Sequence, residues 1–189
     1  HEKPGVAGDI QKSIQNLSTS MKTAHELGGI LTLSTHPYNF VTGGDFKDTS
    51  GNVVAEILPG GRYNDKFNAW LDRNIQTNKD AVDMAFILEN YFIANLNRNL
   101  HAEVYDWEDF DEIVVGAYWL AYDIVGFLSK EHLCHYEQCL RNEIEKRENS
   151  RLIQQVIDSS SVFSYEKLFL AFQKMIAVFD KVLHGEDPD

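Results

Sequence analysis

In Ser164-Tyr165-Glu166-Lys167-Leu168-Phe169-Leu170-Ala171-Phe172-Gln173-Lys174-Met175-Ile176-Ala177-Val178-Phe179-Asp180-Lys181-Val182-Leu183-His184-Gly185, apolar side chains return every third or fourth position. Tyr165, Leu168, Phe169, Phe172, Met175, Ile176, Phe179 and Leu183 fall on one face of a helix, and Glu166, Lys167, Gln173, Lys174, Asp180 and Lys181 on the other. That period belongs to a helix with one buried side. Ser164 stands where a side chain caps the first turn, and Gly185 where a left-handed residue ends the last. Such a helix must cover its apolar face with other elements, so a packed helical unit is predicted here.

Towards the N-terminus the same pattern continues. Residues 81–96 are apolar except for a narrow polar stripe at Asp83, Asn90 and Asn97, which predicts a nearly enclosed helix at the centre of the unit. Residues 113–128 are the most apolar stretch, but they carry Asp123 and are too short to span a bilayer, so a buried helix or core strand is expected. Leu133, Tyr136, Leu140 and Ile144 open another helix, which the charged run 141–151 either extends into solvent or breaks near Asn149-Ser150. A bundle of four or five helices is the economical packing.

The chain of 189 residues is long enough for a sizeable core, as one domain or as a small domain with an appendage. Its formal charge of -12 and abundant aromatics argue against binding to bare nucleic acid or to an anionic membrane, both of which need clustered Lys and Arg. A basic partner fits better. Charge and turn residues divide the chain unevenly. Residues 1–75 hold 7 Lys/Arg against 8 Asp/Glu, net -1; residues 76–189 hold 10 against 21, net -11. Nine of the 12 glycines precede Arg62, and these are the residues of tight turns. The expectation is therefore an N-terminal segment 1–75, a boundary near residues 75–80, and an acidic all-helical domain 76–189. So abrupt a change is also what an artificial or rearranged fusion would give. No signal peptide is visible, and a chain beginning at His1 is expected to be a processed or trimmed product.

Within the first segment, Ile10, Ile14, Leu17, Met21 and Ala24 recur at helical spacing until Gly28-Gly29 stops the helix. Residues 30–35 are apolar and β-branched enough for a buried strand, and the Gly/Asp/Thr-rich residues up to Asn52 predict an unusually long loop. Tyr63, Phe67, Trp70 and Leu71 mark one face of a second helix. Helix, strand, loop and helix in that order make one segment of an α/β barrel.

The residues that sharpen this are Leu33-Ser34-Thr35-His36-Pro37-Tyr38-Asn39-Phe40, then Gly43-Gly44-Asp45-Phe46, Asp48-Thr49-Ser50-Gly51 and Ile57-Leu58-Pro59-Gly60-Gly61. From about residue 10 to residue 73 the chain resembles glycoside hydrolase family 26, whose best-known members are endo-acting β-mannanases. The resemblance covers about a third of the chain. It implies part of a (β/α)8 barrel with the 36–46 loop beside a sugar cleft. It also implies that His36, Asn39 and Asp45 hydrogen-bond sugar hydroxyls, and that Tyr38, Phe40 and Phe46 lie against a β-mannan-type oligosaccharide. Cleavage of a glycosidic bond needs two carboxyl groups roughly 5–9 Å apart. The family's acid/base and nucleophilic glutamates lie in motifs that this sequence lacks, and His25-Glu26 falls in the first helix, so no catalytic residue is assigned.

The densest acidic cluster is Glu103, Asp106, Glu108, Asp109, Asp111 and Glu112, interleaved with Tyr105, Trp107 and Phe110. Most runs of this kind are solvated helix entrances, where acids favour the positive end of the helix dipole. The functional alternative is a surface for a basic protein, as in an inhibitor or immunity protein, with carboxylates steering the encounter and Trp107 among the anchors. His132, His135 and Cys139 share a helix face at i, i+3 and i+7 with Cys134 adjacent, atoms that zinc accepts. With no second ligand cluster of the usual spacing, half-buried packing is the expected role, and neither a metal nor another cofactor is expected. Asp123 is expected to accept a structural hydrogen bond from Tyr118 or Tyr122. Asn16-Leu17-Ser18 is a glycosylation sequon only in a secreted protein. A secreted or cell-surface location follows from the resemblance, a cytoplasmic one from the immunity-type alternative. The fold expected overall is predominantly α with a short α/β segment.

Overall fold

A computed structural model describes residues 39–47, 50–98 and 100–186 of the chain. The expected helix over residues 10–24, the expected strand over 30–35, and His36 and Tyr38 lie outside the described residues. The rest is predominantly helical: α1 (Asn39–Thr42), β1 (Gly44–Lys47), β2 (Val53–Ile57), α2 (Gly61–Arg73), α3 (Lys79–Asn95), α4 (Glu112–Val125), α5 (Lys130–Glu145), α6 (Arg151–Ile157) and α7 (Tyr165–Leu183). Single 3-10 turns at Leu96–Arg98, Ala102–Asp106 and Arg147–Asn149 connect them.

The stretch expected to be one long loop instead holds α1 and a hairpin. Gly43 and Gly51 take positive φ (72° and 85°), and β-branched Val53-Val54 opens the return strand. β1 and β2 pair antiparallel, with Gly44 opposite Ile57 and Asp45 opposite Glu56, and the register shifts between Phe46 and Lys47. Parallel strands joined by a helix are what a (β/α)8 barrel requires. Among the described residues there are none, so the barrel implied by the resemblance is not formed there.

The core is helical and contiguous. α4 packs between α3 and α7, and its residues Ile113 to Ala121 are buried without a break. α2 packs on α3, α5 on α7, and α6 on α3. α2 precedes the expected boundary, yet Tyr63, Phe67 and Trp70 are all in the core. Trp70 Nε1 donates to Gln155 Oε1 on α6 at 2.7 Å, and Gln155 Nε2 donates back to the Asn74 carbonyl at 3.1 Å. α7 has the predicted faces and caps: Leu168, Phe172, Met175, Ile176 and Phe179 are buried, and Ser164 Oγ accepts from the Lys167 amide at 3.2 Å. Gly185 follows with φ 80°. The charged run after α5 breaks rather than extends. Ser150 is fully buried, caps α6, and donates to Glu143 Oε2 at 2.8 Å.

The central helix is α4, not α3. Val82, Phe86 and Ile93 on α3 reach solvent, the last two at 43% and 54% exposure. α4 comes close to α3 because Gly116 has no side chain: a Cβ there would sit 3.0 Å from the Phe92 backbone nitrogen and 3.4 Å from the Tyr91 and Phe92 Cβ atoms. Backbone cannot step aside as a flexible side chain can. Gly116→Ala is therefore expected to destabilise the fold by about 1–3 kcal/mol, the usual range for overpacking, and a urea midpoint equal to wild type would refute the close approach. Gly60 works similarly at the start of α2. It sits at φ 76° against Ile124, Asp123 and Leu120 of α4, with a Cβ position 3.2–3.3 Å from their side chains.

Candidate functional site

Of the residues implied to contact sugar, Asn39 and Phe40 open α1, and Asp45 and Phe46 lie in β1. α1 is fixed by Val41, which is buried in the core, and packs against α3. Asp45 is exposed on the hairpin, across from Glu56.

The acidic segment is built as a strap over the ends of α3 and α4. Val104 is fully buried and pins the 3-10 turn. His101 enters that turn in the left-handed region, φ 36° and ψ 68°, uncommon for a residue with a Cβ. Its ring stacks on Tyr122 at 3.7 Å, and its Nδ1 lies 3.6 Å from Glu103 Oε1. Tyr118 Oη donates to the same Glu103 oxygen at 3.2 Å and is 2.9 Å from Tyr122 Oη. Burial first, and then this tyrosine pairing, pushes the Tyr118 phenol far above its ordinary range.

The structure divides the acidic cluster by role. Asp111 is the N-cap of α4, accepting from the Ile113 and Val114 amides at 2.9 and 3.3 Å, while its other oxygen meets Lys167 Nζ at 3.0 Å. Trp107 is half-buried edge-on to Tyr118, with Lys174 Nζ 3.8 Å above its ring, a cation–π contact that ties the strap to α7. Asp106, Glu108, Asp109 and Glu112 are exposed, and among the described residues no cation pairs with them. Tyr105 and Phe110, at 54% and 41% exposure, stack on each other with centroids 5.9 Å apart and flank the buried edge of Phe92. The sequence names all three aromatics as anchors, and the structure separates them: Trp107 is engaged by Tyr118 and Lys174, while Tyr105 and Phe110 stay exposed. Sequence reasoning missed the apolar stripe of α3 beside that pair, whose signal was present: Val82, Phe86 and Ile93 add a second apolar face to a helix already buried through Ala81, Met84, Ala85 and Leu88.

Asp123 bonds to other partners than those expected. Arg98 grips it bidentately, Nη2 to Oδ1 and Nη1 to Oδ2, both at 2.6 Å, and Tyr91 Oη donates to Oδ2. Tyr122 is its immediate neighbour on α4 and Tyr118 lies five positions back, so neither shares its side of the helix. Asn95 completes the node, accepting from Arg98 at 3.1 Å and donating to the Tyr91 carbonyl at 2.8 Å. Burial first, then the Asp123 charge, drives the Tyr91 phenol far above its usual range. Three donors thus converge on this carboxylate, which ties Arg98 and Tyr91 to α4.

His132 Nδ1 is 3.1 Å from Ser129 Oγ at the start of α5, and His135 Nε2 is 3.7 Å from Cys139 Sγ. Both cysteines are free, and burial raises the Cys139 thiol. Among the described residues no group of three His, Cys, Asp or Glu is placed to hold a metal ion. Nor, among them, is any helix long and apolar enough to cross a membrane.

Part of the chain is similar to a mannan endo-1,4-beta-mannosidase of Bifidobacterium adolescentis: 44% identical over 71 residues, which is 38% of this chain and 7% of that enzyme. The chain thus spans only a small fraction of the curated relative that it matches. No protein family profile matches the chain, and no solved structure matches it.

Proposed function

We propose that this is a mannanase-related protein, of the glycoside hydrolase family 26 type, that contacts a β-mannan-type polysaccharide. The contact would run through His36, Tyr38, Asn39, Phe40, Asp45 and Phe46, and no catalytic residue is assigned. The 71-residue similarity to a mannanase carries this reading. The reading is stated as contact with the polysaccharide because the family's two glutamate motifs are not found in these 189 residues. Isothermal titration of the whole chain with manno-oligosaccharides is expected to show binding that Asp45→Ala weakens. A flat thermogram with every β-mannan fragment would remove the proposal.

A second reading, binding of a basic protein through residues 103–112, is favoured by one observation. Asp106, Glu108, Asp109 and Glu112 are exposed beside the exposed pair Tyr105 and Phe110. Steering by unpaired carboxylates around aromatic anchors suits association with a cationic surface. The triple variant Asp106→Ala/Glu108→Ala/Asp109→Ala is expected to lose a partner retained by wild type in a pull-down. Equal retention by both would dismiss the patch.

A further inference from the structure

Val82, Phe86 and Ile93 project from α3 on one line, continued by Leu96 in the turn after it; all four are exposed, and exposed Glu89 stands on the same line between Phe86 and Ile93. At 1.5 Å per residue the line is about 21 Å long. Its buried edge is Phe92, which touches Tyr105 at 6.5 Å and Phe110 at 5.6 Å between centroids, so the stripe and the aromatic pair form one apolar surface. Around it acidic side chains outnumber basic ones. Lys66 and Arg73 are taken by Asp80 and Asp83, and Lys167 by Asp111, which leaves Glu89, Asp106, Glu108, Asp109 and Glu112 with no cation paired to them among the described residues. Residues 80–112 hold nine Asp/Glu (Asp80, Asp83, Glu89, Glu103, Asp106, Glu108, Asp109, Asp111 and Glu112) and one cation among Lys and Arg, Arg98, which is locked onto Asp123.

We propose that this surface seats a basic amphipathic helix of a partner protein, its apolar side on Phe86, Ile93, Leu96, Tyr105 and Phe110 and its lysines or arginines towards Glu89, Asp106, Glu108 and Asp109. The inference rests on the second reading above and adds the anchor and the form of the ligand. Apolar side chains at helical spacing with one carboxylate, Glu89, among them match an amphipathic helix laid alongside, which contacts through positions i, i+4 and i+7 and offers Glu89 a lysine or arginine. A sugar fits less well: the two exposed rings, Tyr105 and Phe110, are packed together at one end, and the rest of the apolar row is largely aliphatic. A second copy of this chain, at formal charge -12, would bring carboxylates against carboxylates.

The test uses the full chain and three fluorescent peptides of about 18 residues: an amphipathic Leu/Lys helix, the same sequence with Glu for Lys, and one with the lysines kept but Ser for Leu. Anisotropy titrations are expected to show the Leu/Lys peptide binding at least about tenfold tighter than either control. Phe86→Asp and, separately, Ile93→Ser should each weaken it by about tenfold or more, with circular dichroism unchanged because both side chains are exposed. The triple carboxylate variant should weaken binding chiefly at low salt. Loss of binding in that triple variant with Phe86→Asp and Ile93→Ser unaffected would overturn the stripe while leaving the basic-partner reading standing. Equal binding of the Leu/Glu peptide would overturn both. A wild-type dimer in sedimentation that Phe86→Asp converts to monomer would show that the occupant is another copy and also overturn the proposal.

Discussion

Asp80→Ala is expected to destabilise the protein by about 3–5 kcal/mol, the cost of removing one partner from a buried ion pair. Asp80 has no exposure and opens α3. Its Oδ1 accepts from Lys66 Nζ at 3.3 Å and from Arg73 Nη2 at 2.7 Å, and its Oδ2 accepts from Arg73 Nε at 2.6 Å. Lys66 is itself buried on α2, so deleting the carboxylate leaves an ammonium in the core with only half-exposed Asp83, at 2.5 Å, to balance it. The pH dependence follows from the same contacts. Hydrogen bonds from Arg73, then those and the charge of Lys66, hold the Asp80 carboxyl below its usual range against the opposing effect of burial. A depressed folded value means that the contribution is complete above the unfolded value of about 3.9 and is lost as pH falls through the lower folded value. Urea unfolding at pH 7 should therefore show the full difference between wild type and Asp80→Ala, narrowing only in acid below about pH 4. Lys66→Met with Asp80→Leu should recover part of the loss, because both charges then leave the core together. A loss under about 1 kcal/mol for Asp80→Ala would mean that water reaches the pair and the burial is wrong.

How far the sequence could lead depended on the range of the interaction involved. The faces of α7, the Ser164 cap and the Gly185 stop were readable because each is decided within a few residues. A break near Asn149-Ser150 was readable as one of two outcomes, but α5 already ends at Glu145, and the buried Glu143–Ser150 bond across the break spans seven positions and leaves no periodic trace. Which of two apolar helices lies at the centre could not be read at all. Periodicity reports how many faces of a helix are apolar, not how many are covered, and α3 keeps Phe86 and Ile93 in water while α4 uses Gly116 to press against it. The Gly/Asp/Thr-rich residues before Asn52 misled for a related reason: the same glycines that suit a loop supply the positive φ of a hairpin.

The candidate surface was half legible. Alternating acids and aromatics at 103–112 announced exposed carboxylates, and Asp106, Glu108, Asp109 and Glu112 are exposed. Asp111 and Trp107 look the same in sequence but are engaged by the α4 amides, Lys167 and Lys174, and both cations come from α7, more than fifty positions away. For Asp123, the nearby tyrosines were a poorer guide than helix geometry, which turns them away from it and leaves its side facing Tyr91 of α3.

Asp123→Ala, for that reason, should disturb the surface without touching it. The carboxylate is largely buried, and its loss strands the Arg98 guanidinium and the Tyr91 phenol, which places the expected destabilisation at about 3 kcal/mol, the lower end for a broken buried pair. Tyr91→Phe removes one donor and keeps the Arg98 fork, so about 1.5 kcal/mol is expected, the low end for a hydrogen bond to a charged group. A titration separates the two causes acting on Tyr91. Burial and the Asp123 charge both raise its phenol, so the folded protein keeps it neutral beyond the unfolded value of about 10, and its contribution to stability is full below that pH and lost as pH rises through the folded value. In Asp123→Ala the carboxylate is gone, while burial still raises the phenol and the Arg98 charge lowers it, so ultraviolet absorbance should register phenolate at lower pH than in wild type. Arg98 also ends the turn Leu96–Arg98 from which the chain runs into His101 and the acidic strap. Freed from Asp123, that connection loses its tether to α4, and amide hydrogen exchange over residues 96–106 should quicken more than over α7. Exchange that rose uniformly, or not at all, would show the node to be ordinary core and not the support that holds Tyr105 and Asp106 in place.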